Sequence, residues 1–303
     1  MRVAVTGAGG RLGRALITAL GDAPFTGPAG PIAWTRAEFD LDAPGTIHDL
    51  LDRDRPEAVV HTAAWTDVDG CARDPDLADR RNAVAVEILA DATAARGIDL
   101  IHVSTNEVFD GARAQDRGYR PDDPPSPGNA YGASKLGGEI AATTAYQDGS
   151  GRLVIVRTSW LYGPPGNDFP SKIVGAAERA NAAGAPLRVV GDEFASPTSS
   201  NDLADAIVEL LGDDDPEPGE IHHLVNVGVT SRAGWARELF RQLALDVTVD
   251  EVPAATWTRD STPPTWGVLE PTTLPSGEPM RPWQAALADY IPLVRRQRAA
   301  TAR

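Results

Sequence analysis

The first thirteen residues constrain the chain more than any other stretch. A short apolar run, Arg2 to Thr6, leads directly into TGAGGRLG, in which Gly7, Gly10 and Gly13 stand three apart. A strand that feeds a glycine-rich turn and then a helix, predicted to start near Leu12, brings backbone N–H groups and the positive end of a helix dipole to one point. Glycine removes the Cβ atoms that would hold a phosphate away from those amides. A glycine triplet alone is a weak signal, but its position between a strand and a helix makes it a strong one. The turn predicts a pyrophosphate cradle formed by Gly7, Gly10, Arg11, Leu12 and Gly13.

The chain downstream keeps the same rhythm. Val- and Ile-rich runs at Arg2–Thr6, Ile32–Thr35, Ala58–Thr62, Asp99–Ser104 and Leu153–Thr158 alternate with helical patterns at Leu12–Leu20, Thr46–Leu51, Leu77–Arg96 and Tyr131–Tyr146. Such alternation predicts a Rossmann-like, doubly wound parallel sheet, its strands covered on both faces. After Trp160 the elements shorten and are broken by Pro and Gly. We therefore expect residues 1–160 to form an NAD(P)-binding domain, with a later return near residues 192–228. Residues 161–303 would mainly form a smaller, interleaved α+β domain for the substrate. The acidic stretch Gly212–Glu220 reads as a solvated loop. The proline-rich stretch Asp110–Asn129 lies between parts of the candidate site, where long loops often serve as lids.

Charge and cysteine content narrow the function. Acidic residues outnumber basic ones 43 to 28, for a formal charge of −15, which disfavours a non-specific nucleic-acid binder or an anionic-membrane binder. The one cysteine, Cys71, can form no internal disulfide and suits a reducing cytoplasm. The amino terminus does not read as a signal peptide, and no apolar run is long enough to span a membrane.

Within the predicted sheet, residues after the second strand read the adenosine ribose. Thr35 and Arg36 stand there, a hydroxyl and a guanidinium suited to a 2′-phosphate, so NADPH is favoured over NADH. Asp40, with Leu41 beside it, is a candidate for the adenine. Tyr131 and Lys135 form Y-x-x-x-K near a helix start, which places both side chains on one face. Carbonyl reduction needs an acid at the oxygen, and a nearby ammonium would lower the high pKa of a phenol. With five tyrosines and only two lysines, Lys135 and Lys172, in 303 residues, the pattern has a chance probability of about 0.03. The fourth strand ends in Ser104 and Thr105 at the edge where ligands bind in such sheets, and Thr105 is placed to orient a carbonyl towards Tyr131.

These segments together resemble the extended short-chain dehydrogenase/reductase superfamily, and within it the dTDP-4-dehydrorhamnose reductase family. The resemblance rests on VVHTAAWTDVD (Val59–Asp69), STNEVFDG (Ser104–Gly111), NAYGASKLGGE (Asn129–Glu139), RTSWLYG (Arg157–Gly163) and GDEFASPT (Gly191–Thr198). It implies NAD(P)H-dependent reduction of the 4-keto group of a nucleotide-linked 6-deoxysugar. Thr105, Tyr131 and Lys135 would be catalytic, Ala63 and Ala64 would line the cofactor, and Trp160 would flank the sugar. Ser104, Asn106, Glu107 and Asn167 complete the implied substrate site, while Asn82 would support the helices. Ala15 stands where some members carry a metal-bridging glutamate, so no metal is expected, and a homodimer stays open.

Two departures from the family pattern bear on the substrate. Asn106 and Glu107 replace an Asp-Tyr pair after the threonine and are expected to face the sugar. Pro263, in PPTWGVLE, replaces an arginine. The Thr-Asn-Glu run also resembles the Thr-Asp-Glu of nucleotide-sugar dehydratases. Asn106 has no acidic proton to give, so the reductase reading ranks above a dehydratase or epimerase, and a catalytically silent regulatory protein of the same fold is the alternative.

Overall fold

A computed structural model of the chain describes residues 1–113, 117–147, 149–213 and 220–301. Strands β1 (Val3–Thr6), β2 (Ile32–Trp34), β3 (Ala58–His61), β4 (Asp99–Thr105) and β5 (Leu153–Thr158) join a sixth strand, Glu220–His223, in one parallel sheet. Their order across the sheet is Glu220–His223, β5, β4, β3, β1, β2. Every residue of β1, β3 and β5 is buried, which is why these strands read as unbroken apolar runs. On one face, Val3, Val5 and Val60 pack against Leu12, Leu16 and Leu20 of helix Arg11–Asp22 and Leu203, Ile207 and Leu210 of helix Ser200–Leu211. On the other, Ala4, Val59 and Leu100 meet Leu50, Leu89 and Ala142 from helices Ile47–Asp54, Ala85–Ala94 and Ala130–Gln147.

From β1 the chain goes outward to β2, then crosses back to β3 on the other side. The carboxyl ends of β1 and β3 therefore diverge, and a crevice opens between them. Thr6 ties its floor: its hydroxyl accepts from the amides of Thr62 and Ala63 at 3.2 and 3.3 Å, and Thr62 Oγ1 donates to the Thr6 carbonyl at 2.7 Å.

The helix expected over Leu77–Arg96 is instead three pieces, Pro75–Asp79, a π-helical segment Arg80–Val84, and Ala85–Ala94. The wider turn carries the buried Asn82, whose amide donates to Trp65 O and Ser134 Oγ, both at 3.0 Å, and whose oxygen accepts from Trp65 N at 2.8 Å. Residue 82 thus ties the β3 loop to helix Ala130–Gln147. The same helix is tied to β5 by a buried ion pair, Glu139 with Arg157, at 2.7 Å.

A third apolar cluster gathers Tyr162, on the short strand Leu161–Tyr162, with Val174, Trp235, Leu239, Leu287 and Ile291 from helices Phe169–Ala182, Arg232–Leu243 and Trp283–Thr301. Beside these helices, strands Leu187–Val190 and Val249–Val252 pair in parallel. Of the proline-rich stretch Asp110–Asn129, where described, Gly111 and Tyr119 are buried and the rest is half-buried or exposed. Tyr119 stacks on Phe109 with centroids 4.1 Å apart, and its backbone exchanges hydrogen bonds of 2.8 Å with Val268 and Glu270. Residues 114–116 of that stretch, and 214–219 of the acidic loop, lie outside the described residues.

Candidate active site

At the crevice, Gly10 precedes helix Arg11–Asp22, and no side chain caps the helix, so its first-turn amides are left for a ligand. Glycine at 13 is dictated by packing: a Cβ there would overlap the carbonyl of Gly7. A cavity of about 550 Å³ opens on one side, lined by Gly7, Gly10, Thr35, Arg36, Asp40, Leu41, Ala63 and Ala64. All eight are cofactor candidates of the sequence, and the fold brings them to one wall. Thr35 is committed locally, its amide and hydroxyl donating to Glu38 Oε2 at 2.9 and 3.3 Å. The Arg36 side chain is 77% exposed at the rim, with Asp40 and Asp42 only at 3.8 and 3.7 Å. Arg81, missed in the sequence, joins this wall, stacked over Trp65 at 5.3 Å and paired with Asp42 at 2.6 Å.

The second cavity, of about 430 Å³, shares Gly7, Gly10, Thr62 and Ala64 with the first and continues towards the ends of β4 and β5. Its walls hold Arg11, Leu12, Gly13, Ser104, Thr105, Asn106, Glu107, Tyr131, Lys135 and Trp160. Tyr131 and Lys135 lie on helix Ala130–Gln147, started by Asn129 Oδ1, which accepts from Gly132 N at 2.8 Å. Glycine at 132 is required because a Cβ would overlap the Glu107 carbonyl, so the helix lies directly on the turn after β4. Ser104 Oγ and Thr158 Oγ1 are buried here without a partner among the described residues.

Electrostatics at this end differ from expectation in one respect. Lys135 is 2% exposed, and its Nζ donates to Val103 O at 2.8 Å, with His102 Nε2 at 3.5 Å. Burial lowers its pKa to about 8, against an upward pull from Glu139. Tyr131, 9% exposed, is pushed up, first by burial and then by the Glu107 charge, with Thr105 pulling the other way. The phenol is thus held protonated, where the sequence reading had the lysine lowering it.

Asn106 lines the second cavity, and its amide donates to Gly267 O at 2.9 Å, which also fastens the Pro263–Glu270 segment. Asn167 is exposed at a φ of +62° and lines neither cavity. The Arg11 guanidinium also turns aside, donating to Gly163 O and Gly166 O at 3.1 and 2.9 Å. In their place stands Arg232, which the sequence did not reveal: its guanidinium lies 3.6 Å from the Trp160 ring centroid, with Glu193 at 3.7 Å. Burial lowers its pKa to about 10. Trp160 itself has a φ of +43° and stacks on Trp235 at 5.9 Å. Among the described residues, no cluster of three or more His, Cys, Asp or Glu side chains is arranged to hold a metal, and no helix is long and apolar enough to cross a membrane.

This geometry has close counterparts. The family model described as RmlD substrate binding domain matches residues 1–296. The chain belongs to this family. Among curated relatives it is 35% identical over 296 residues to dTDP-4-dehydrorhamnose reductase of Mycobacterium tuberculosis, covering 96% of this chain and 92% of that one. It is 31% identical over 291 residues to the spore coat polysaccharide biosynthesis protein SpsK of Bacillus subtilis, covering 96% of both. The crystal structure of dTDP-4-dehydrorhamnose reductase from Bacillus anthracis in complex with NADP superposes with a TM-score of 0.84 at 29% identity, covering 95% of this chain and 98% of that one.

Proposed function

We propose that the chain is an NADPH-dependent reductase of the 4-keto group of a nucleotide-linked 6-deoxysugar, a dTDP-linked sugar being the first candidate from its relatives. The observation that carries the reading is that Thr105, Tyr131 and Lys135 line one cavity that runs directly into the glycine cradle. The cradle fits a dinucleotide, since uncapped helix amides face a cavity walled by Gly7 and Gly10, and Gly13 lets the helix lie close on that glycine turn. The sheet domain, with its return near residues 192–228, carries the cofactor, and the remainder carries the sugar. A reduced nicotinamide supplies hydride when bound. Thr105 and Tyr131 hold the keto oxygen, and Tyr131, kept protonated by its surroundings, gives up the proton as charge develops there. Lys135 is a buried cation that balances the phenolate left behind and is placed for the nicotinamide ribose. Arg36 supports a preference for the 2′-phosphate of NADPH. The free, buried Cys71 suits a reducing compartment such as the cytoplasm.

Adding a dTDP-4-keto-6-deoxyhexose to protein and NADPH should oxidise the cofactor stoichiometrically. Tyr131→Phe should reduce turnover by about a hundredfold or more while NADPH affinity stays the same. Cofactor that binds but is not consumed by any 4-keto sugar nucleotide would reject the reading in favour of a silent, regulatory protein.

A further inference from the structure

Three cations line the cavity that holds Thr105 and Tyr131: Arg11, Lys135 and Arg232. Two of them are committed. Arg11 donates to the carbonyls of Gly163 and Gly166, and Lys135 to that of Val103. Arg232 is held differently. The carboxylate beside it, Glu193, stands 3.7 Å from its Nε, too long for a hydrogen bond. Its guanidinium carbon lies 3.6 Å from the Trp160 ring centroid and 5.4 Å from that of Phe169. So close to Trp160 the guanidinium lies flat on the ring, and because its N–H bonds lie in its own plane, the stack uses none of them. Trp160 is backed by Trp235, stacked at 5.9 Å, and Trp235 by Phe169 at 4.6 Å. The fork is thus held by aromatic rings rooted in the apolar cluster, and its donors are left for the cavity.

A half-buried guanidinium with unused donors costs free energy that an oxyanion in the cavity would recover. The other charges that act on it are Glu193 and Glu107 against Arg259, so together with its own charge the four balance. An anion is therefore recognised here by paired, directional hydrogen bonds rather than by a positive field. Resting on the keto-sugar reading above, we propose that Arg232 is the anion-binding residue of the substrate site, its fork taking two oxygens of an oxyanion that the sugar nucleotide carries, either the diphosphate or a carboxylate on the sugar.

The test is titration calorimetry on the whole protein saturated with NADP⁺, wild type against Arg232→Met, which keeps an unbranched chain over Trp160 and removes the fork. The probes are dTDP, dTDP-glucose, dTDP-glucuronate and thymidine. With the diphosphate as ligand, Arg232→Met weakens the three nucleotides by the same factor, about thirtyfold, and leaves thymidine unchanged. With a sugar carboxylate as ligand, the wild type binds dTDP-glucuronate about thirtyfold more tightly than dTDP-glucose, and the variant loses that difference alone. Unchanged NADP⁺ affinity reports that the variant is folded. Equal affinities of the two proteins for all three nucleotides, or an equal loss for thymidine, overturn the proposal. A wild type that binds none of the three overturns it together with the keto-sugar reading, whereas NADPH oxidation by a keto sugar nucleotide with no effect of Arg232→Met removes the anion site alone.

Discussion

Lys135 sits where an ammonium is poorly accommodated, and that discomfort is measurable. Its pKa is about 8 in the fold against 10.5 unfolded, so at neutral pH the charged lysine opposes folding. From pH 8 to 10.5 the unfolded chain retains a proton that the folded chain has released, and stability from this group rises with pH. Lys135→Met should therefore be more stable than the wild type by up to about 3 kcal/mol at pH 7, with the gap closing by pH 10.5. Paired denaturant titrations across that range check it, and a pH-independent gap would refute the burial argument. At the other end of the crevice, Arg36→Ala should lower kcat/KM for NADPH about tenfold and leave that for NADH nearly unchanged. An equal loss with both cofactors would deny Arg36 a role at the 2′-phosphate. Tyr131 and Lys135 were legible because they are one helical turn apart. Arg232 was not, since it reaches Trp160 from 72 positions further along the chain, and nothing local marks it. The tie from Asn106 to Gly267 was hidden for the same reason, its partner lying 161 residues away.

Among the elements, helix Ala130–Gln147 bears the chemistry, and its clamp to β5 is the pair Glu139–Arg157. The guanidinium meets the carboxylate from Nε at 3.0 Å and from Nη2 at 2.7 Å, both residues buried. Removing one partner strands a buried charge, so Glu139→Leu alone should cost about 3–5 kcal/mol, whereas the double change Glu139→Leu with Arg157→Met should cost far less. A double-mutant cycle in urea measures this, and additive losses would show that the pair is not coupled. Because Glu139 also pulls the Lys135 pKa upward, the single change should lower the pH at which Lys135 titrates. The helix and its strand were readable from apolar periodicity. The π-helical segment Arg80–Val84 was not, because an inserted backbone turn leaves the residue pattern almost unchanged and is fixed by Asn82's contacts with Trp65 and Ser134.

Across the whole molecule, three of the four buried histidines, His61, His102 and His223, are held as neutral rings. His61 and His102 stack at 5.5 Å beneath Lys135, and His223 lies on the last strand of the sheet. Burial lowers His61 and His223 to about 3, with Lys135 and Arg157 respectively adding to it, and His102 falls well below its ordinary value. Below pH 6.5 the unfolded chain takes up protons that the folded chain refuses, so stability falls as pH falls, by about 2 kcal/mol per histidine at pH 5. Thermal melts should show Tm declining from about pH 6.5, before carboxylates titrate. A constant Tm down to pH 5 would contradict this. The order of the sheet has a further consequence, for synthesis. Strand Glu220–His223 pairs with β5 only after the chain has built helices Phe169–Ala182 and Ser200–Leu211, so as it leaves the ribosome the amino-terminal sheet emerges with β5 as an open, apolar edge. The nascent protein must carry that edge through the translation of more than sixty residues before its own later strand covers it, and that interval is when chaperone capture or misassembly between neighbouring chains is decided.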